Sequence, residues 1–175
     1  HLADNPVHHI MRMLTALRAT PLDNGTAHFD PTNLEITTIE TSGRAVNVIP
    51  AEATAQFNIR FNDLWTHDTL AAEIEARLHQ LAGNEIRYSV TFEPSNADAF
   101  LTEPGAFVEM AVASIEESTG NKPVLSTTGG TSDARFIKDY CPVIEFGLVG
   151  LLGRPALAFL LVAQLHLDHL EVEGG

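Results

Sequence analysis

Basic residues and cysteine are both scarce in this 175-residue sequence, and each scarcity removes a class of function. Ten Lys and Arg stand against 23 Asp and Glu, a formal net charge of −13 at pH 7. A surface of that sign repels phosphate backbones and disfavours nucleic-acid binding. The acid is dispersed, with no run that would form an interaction tail. The single cysteine, Cys141, excludes an intrachain disulfide framework and a thiolate zinc cluster. Its apolar neighbours predict a buried thiol. A membrane span is disfavoured too, because Arg154, Pro155 and Gln164 interrupt the one long apolar stretch, Leu148 to Leu165. No hydrophobic leader opens the chain. It starts His1-Leu2-Ala3-Asp4, like the middle of a longer protein, and the expected compartment is the cytoplasm.

What is present is enough apolar residue for a core, 45% of the total. Asn5-Pro6 is a helix-start signal, and Val7, Ile10, Met11, Leu14 and Leu17 follow at helical spacing. Pro21 and Asp23-Asn24-Gly25 end that element. Leu34 to Thr41 predicts a strand. Ala53, Ala55, Phe57, Ile59 and Phe61 alternate with Thr54, Gln56, Asn58 and Arg60, a strand with one packed face and one open face. Thr66 or Asp68 can cap a second helix, whose Leu70, Ile74, Leu78 and Leu81 form one stripe. Ile86, Tyr88, Val90 and Phe92 mark another one-sided strand.

Residues 5–92 therefore read helix, strand, strand, helix, strand, a two-layer α/β sandwich. One further strand before His1 would complete a ferredoxin-like βαββαβ order. The polar stretch Pro94 to Pro104 is a connector, so the expected units are residues 1–96, residues 97–149 and an atypical tail, residues 150–175. In the second unit Gly105 to Thr119 predicts a helix with Val108, Ala111, Val112 and Ile115 inward, stopped by Gly120. A short helical stretch is expected through Arg135 and Phe136, and a buried strand over Val143 to Gly147. With the rest of their layer absent, Val143 and Ile144 are expected to lack cover.

Three features could carry chemistry. Gly129-Gly130-Thr131-Ser132-Asp133 offers successive backbone N–H groups before a helix, either an anion-binding concavity or a structural turn. It is neither a phosphate loop nor a nucleophile elbow, because the spacings of both are missing. Arg60 and Asn58 project from the open strand face, as ligand contacts or as a solvated surface. Asn47, in Val46-Asn47-Val48-Ile49-Pro50, could hold its own turn. Among eight histidines, the adjacent His8 and His9 point to different sides of a helix, and His28, His67 and His79 are isolated, with surface or cap roles. His166, Asp168, His169 and Glu171 are a local set of metal-ligand types that would share a face only in part, at i, i+3, if helical.

Six segments together resemble the desuccinylase branch of the di-zinc aminoacylase and carboxypeptidase metallopeptidases. They are His1 to Pro6, Asn47 to Glu52, Phe57 to Phe61, Phe100 to Thr102, Gly129 to Phe136 and Glu145 to Gly147, in matching order over residues 1–149. The resemblance implies a homodimer of subunits with a di-zinc catalytic domain and an inserted two-layer lid that forms the dimer interface. It implies hydrolysis of a small-molecule N-succinyl diamino acid, N-succinyl-L,L-2,6-diaminopimelate, to succinate and L,L-2,6-diaminopimelate, a step of lysine and diaminopimelate biosynthesis. Two zinc ions would acidify a bridging water and a glutamate would act as base. On this resemblance Arg60 matches a lid arginine suited to a substrate carboxylate. Gly130, Thr131 and Ser132 match a loop that cradles substrate. Asn47 matches a lid asparagine reaching substrate from the neighbouring subunit, although Val46 stands where a second Asn is usual.

The resemblance also places the metal ligands and the base before His1 and a last histidine ligand soon after Gly147, where this sequence has Leu151-Leu152-Gly153-Arg154. No catalytic or metal residue is therefore assigned, this chain alone is expected to be inactive and metal-free, and residues 151–175 are expected not to be the family's own C-terminus. Two alternatives stand beside this: another N-acyl amino-acid deacylase or carboxypeptidase of the same family, and a dimerisation module without catalysis.

Overall fold

A computed structural model describes residues 4–43, 45–94, 98–127, 133–148, 155–158 and 163–173, of which 147–148, 155–158 and 163–169 are described by backbone alone. The first helix, α1 (Pro6–Ala19), starts where the Asn5 side chain accepts a 3.0 Å hydrogen bond from the Val7 N–H. Its buried stripe is Pro6, Ile10, Met13, Leu14 and Leu17, spaced three and four apart. Met11, expected in that stripe, is instead 55% exposed, because it lies about 100° around the helix from Ile10, on the side away from Met13, which takes its place.

Two strands follow, β1 (Asn33–Thr41) and β2 (Glu52–Phe61), paired antiparallel with one extra residue, Thr37, on β1. Along β2 the residues Ala53, Ala55, Phe57, Ile59 and Phe61 are buried and those between them are not, as the alternation predicts. Helix α2 (His67–Ala82) opens with a reciprocal cap. Thr66 Oγ1 accepts from the Thr69 N–H and Thr69 Oγ1 accepts from the Thr66 N–H. Leu70, Ile74, Leu78 and Ala82 are its buried side, and Gly83, at φ +59°, ends it. Strand β3 (Arg87–Phe92) completes the predicted order.

Four strands, not three, form this sheet. The order is β1-β2-β7-β3, all antiparallel, and the place between β2 and β3 is taken by β7 (Ala163–Glu173), the last element of the chain. The strand that the βαββαβ pattern calls for before His1 thus has its position filled from the far end of the sequence. Helix α1 packs on β1, β2, β7 and α2, and Leu170 and Val172 of β7 are fully buried in the same core as Phe57, Ile59 and Ile74.

Residues beyond the connector form α3 (Ala106–Thr119), β4 (Val124–Ser126), α4 (Ala134–Ile137), β5 (Glu145–Leu148) and β6 (Pro155–Ala158). Strand β6 is central, parallel to β4 and antiparallel to β5. This layer is thin, and three expectations change with it. Cys141 is exposed, because it lies in the turn after α4, where apolar neighbours in sequence do not become a covering layer. Val143 and Ile144 are half-buried, the first, like Phe100, against Ala134 and the second against Val108. The uncovered apolar residues are others, among them Met110, Val124, Tyr140 and Phe146, and Phe146 takes the strand over Val143 to Gly147 out of the buried class.

Candidate functional site

Strand β2 aims Arg60 to the open face of the sheet, opposite Asn33 of β1, and among the described residues no carboxylate pairs with it. The same face carries Gln56, whose Oε1 accepts a 2.7 Å hydrogen bond from the Thr38 hydroxyl. An exposed, uncommitted guanidinium at a strand end can take a carboxylate with both of its donor edges.

Immediately beyond Arg60 the chain enters a polar knot. Asn62, 2% exposed, donates from Nδ2 to Asp23 Oδ1 at 2.9 Å and to the Asp30 carbonyl at 3.1 Å, and its Oδ1 accepts from the Leu64 N–H. Asp23 Oδ1 also accepts from the N–H groups of Gly25 and Thr32, at 2.8 and 3.1 Å, while Trp65 Nε1–H donates to Oδ2 at 2.8 Å. Partial burial alone would raise the Asp23 pKa. The donors around it, Thr32 and Trp65 foremost and then the Gly25 and Thr32 amides, reverse that and hold it at about 2. The Thr32 hydroxyl lies beside the carboxylate without reaching full hydrogen-bond geometry. Gly25 is required at the turn, since its φ is +80° and a Cβ would stand 2.7 Å from the Phe29 carbonyl oxygen.

This knot fixes the turn in which the Thr26 N–H donates to the Phe29 carbonyl, and so fixes His28. The His28 carbonyl accepts a hydrogen bond from the Thr127 hydroxyl, on the residue before the Thr128-Gly129-Gly130-Thr131-Ser132 segment. A cavity of about 450 Å³ opens there, lined by Ala27, His28, Leu101, Thr102, Pro104, Leu125, Ser126 and Thr127. Its size suits a small organic molecule, with apolar walls and a few hydroxyls to orient it. Thr102 is held at its rim by donating to the Val143 carbonyl at 2.5 Å.

The sequence-predicted residues divide three ways. Arg60 is presented as expected. Gly130, Thr131 and Ser132 lie outside the described residues. Asn47 is exposed in a turn closed by the Val48 N–H and the Ala45 carbonyl, before the start of β2, whereas Arg60 is near its end. Eight strand steps, about 26 Å, separate Glu52 at the start of β2 from Arg60.

Three contributors were missed. His28, expected to be an isolated surface residue, lines the cavity, and nothing in the local sequence signals that, because its neighbours there come from residues 101–127. Thr102 stood within a resemblance segment and could have been singled out. Arg135 of α4, beside the glycine-rich segment, has a buried Nε without a hydrogen-bond partner among the described residues and stacks its guanidinium 4.7 Å from the Phe136 ring centre. In the tail, His166 and His169 belong to strand β7, so the helical spacing that would have paired them does not exist. Among the described residues no three of His, Cys, Asp and Glu form a group that could hold a metal ion, and no helix is long and apolar enough to cross a membrane.

Comparison with known proteins agrees with the two-layer unit. Residues 1–85 match the family profile of the peptidase dimerisation domain of the M20 type. A succinyl-diaminopimelate desuccinylase of Methylorubrum extorquens (strain PA1) is 62% identical over 150 residues, 86% of this chain and 39% of that protein. Those of Bradyrhizobium sp. (strain ORS 278) and Nitrobacter hamburgensis are 59% and 56% identical over the same shares. The chain thus spans less than half the length of the curated relatives it matches.

Proposed function

Because residues 1–85 match the M20 peptidase dimerisation-domain family, we propose that this chain forms the lid and part of the catalytic layer of a succinyl-diaminopimelate desuccinylase. The intact enzyme hydrolyses N-succinyl-L,L-2,6-diaminopimelate to succinate and L,L-2,6-diaminopimelate in the cytoplasm. The 62% identity to the Methylorubrum extorquens relative carries this reading.

In it, Arg60 binds a substrate carboxylate, a role that its exposure and lack of a described acidic partner support. Thr127 lines the cavity beside His28, and Gly130, Thr131 and Ser132, which follow it in sequence, are assigned to cradling the acyl end of the substrate. Asn47, exposed in the turn before β2, reaches the site of a neighbouring subunit, as the resemblance implies. The homodimer forms through the lid, whose strand β1 is an edge with open backbone groups along nine residues. Zinc is the metal of the intact enzyme. Among the described residues of this chain no group of His, Cys, Asp and Glu fits a zinc site, and it is the resemblance that assigns the ions to the remainder of the enzyme.

The test is a chimera in which residues 1–149 of this chain replace the matching segment of the Methylorubrum extorquens relative. Succinate release from the N-succinyl substrate, well above hydrolysis of N-acetyl amino acids, is the expected result. Preference for the N-acetyl compounds would favour a different deacylase of the family. A folded chimera that hydrolyses neither would leave a dimerisation module.

A further inference from the structure

We propose that Asp23 is a positioning residue that holds Arg60 and the cavity beside His28 in fixed relation, so that one substrate meets both. This rests on the reading of Arg60 and the cavity as substrate contacts.

Asp23 lies in the connection between α1 and β1, and its carboxylate gathers donors from both strands at the end where Arg60 stands. Thr32, whose N–H it accepts, directly precedes Asn33, the ladder partner of Arg60. Asn62, whose Nδ2 donates to it, follows Arg60 by two residues and is 2% exposed. Trp65 brings in the approach to α2. The backbone around Arg60, along β2 and across the ladder, is thus tied to one carboxylate, and the guanidinium is left to a ligand.

The same carboxylate reaches the cavity through the turn that follows it. The Gly25 N–H binds Asp23, and the chain then folds back on Thr26. Thr26 Oγ1 accepts from the N–H groups of His28 and Phe29, at 3.2 and 3.1 Å, and the Thr26 N–H donates to the Phe29 carbonyl at 2.9 Å. Phe29 is buried and anchors the turn. The His28 carbonyl is thereby held in place, and it accepts from the Thr127 hydroxyl across 99 residues of sequence. The cavity takes its walls from both sides of that bond, Ala27 and His28 on one, Thr102 and Leu125 to Thr127 on the other.

A carboxylate that only closed its own turn would need no more than nearby amides such as that of Gly25. Asn62 and Trp65 add bonds to segments 39 and 42 residues away, and Asn62 is the one that reaches β2 beside Arg60. Charge-assisted bonds in a partly buried network stiffen what they join. That stiffness matters for binding, because a displacement of about 1 Å at a substrate contact can cost about a hundredfold.

Two measurements test the proposal on separate grounds. In the full chain, hydrogen exchange at the Thr26 amide reads the turn. Asp23→Asn, and Thr127→Val, which removes the hydroxyl and keeps the shape, should each speed that exchange about tenfold. Thr127→Ser should leave it unchanged. Trp65→Phe, which takes one donor from the carboxylate, keeps the test sharp should Asp23→Asn fold poorly. In the chimera with the Methylorubrum extorquens relative, Asp23→Asn and Thr127→Val should raise KM for the N-succinyl substrate about five- to tenfold, with kcat within about twofold. Thr127→Ser should match the unsubstituted chimera. Exchange that Thr127→Val does not move severs the turn from the cavity and overturns the proposal. A KM that both variants leave within about twofold overturns it as well. An unsubstituted chimera that releases no succinate counts against the desuccinylase reading instead, and the exchange measurement then decides the link by itself.

Discussion

The indole N–H of Trp65 donates to Asp23 Oδ2 at 2.8 Å, linking the connection after α1 to the connection before α2 across 42 residues of sequence. Trp65 is the only tryptophan in the chain, so the bond reports itself. The folded chain holds the Asp23 pKa at about 2 against an ordinary 3.8. In the interval between those values the unfolded chain binds more protons than the folded one, so stability falls as pH drops from about 4 toward 2. Acid titration followed by Trp65 emission should show this loss, and Asp23→Asn should remove that part of the pH dependence. At neutral pH the same variant should be less stable by about 2 kcal/mol, the scale of hydrogen bonds to a charged group. Glu145 works in the opposite direction, because burial raises its pKa and protonation then favours the fold.

Thr66→Ala removes the acceptor for the Thr69 N–H and breaks the reciprocal cap of α2. The expected cost is about 1 kcal/mol in urea denaturation. Thr66→Asp should restore most of it, since a carboxylate at that position also complements the helix N-terminus.

Leu170 is as fully buried as Ile74 of α2. Leu170→Ala should therefore cost about 2–5 kcal/mol, like Ile74→Ala, whereas Tyr140→Ser at a 90% exposed position should be close to neutral. Thermal melts of the three variants decide it, and a neutral Leu170→Ala would remove β7 from the core.

Exposed Cys141 should react with a thiol reagent in the native state, to one equivalent and without unfolding. Protection until denaturation would restore the buried thiol that its neighbours in sequence suggest.

In the chimeric enzyme Arg60→Ala should raise KM for the N-succinyl substrate about tenfold or more while leaving the melting temperature within a degree or two. Arg60→Lys should recover only part of the affinity, because a single ammonium cannot pair bidentately.

The first 92 residues were legible because each of their elements announces itself locally. Asn5-Pro6 and Thr66 mark helix starts by the donors they satisfy, and the nine-residue alternation from Ala53 to Phe61 leaves one choice of buried face. Met11 was misjudged because helical spacing of apolar residues overstates the width of the stripe that a single sheet can cover. Strand β7 was not legible, since its alternation changes parity at Asp168 and a reader counting in twos finds no continuous strand. The site divides in the same way. Arg60 follows from strand parity, but the cavity beside His28 is closed by residues from Leu101 to Thr127, 73 to 99 positions away, and no local pattern contains that contact.

The place of β7 in the sheet also orders the folding of this chain. Pairs between β1 and β2 join residues 12 to 27 positions apart, whereas pairs between β2 and β7 join residues 102 to 121 positions apart. Closing a loop of that length costs more entropy, so the edge of the sheet forms before its centre.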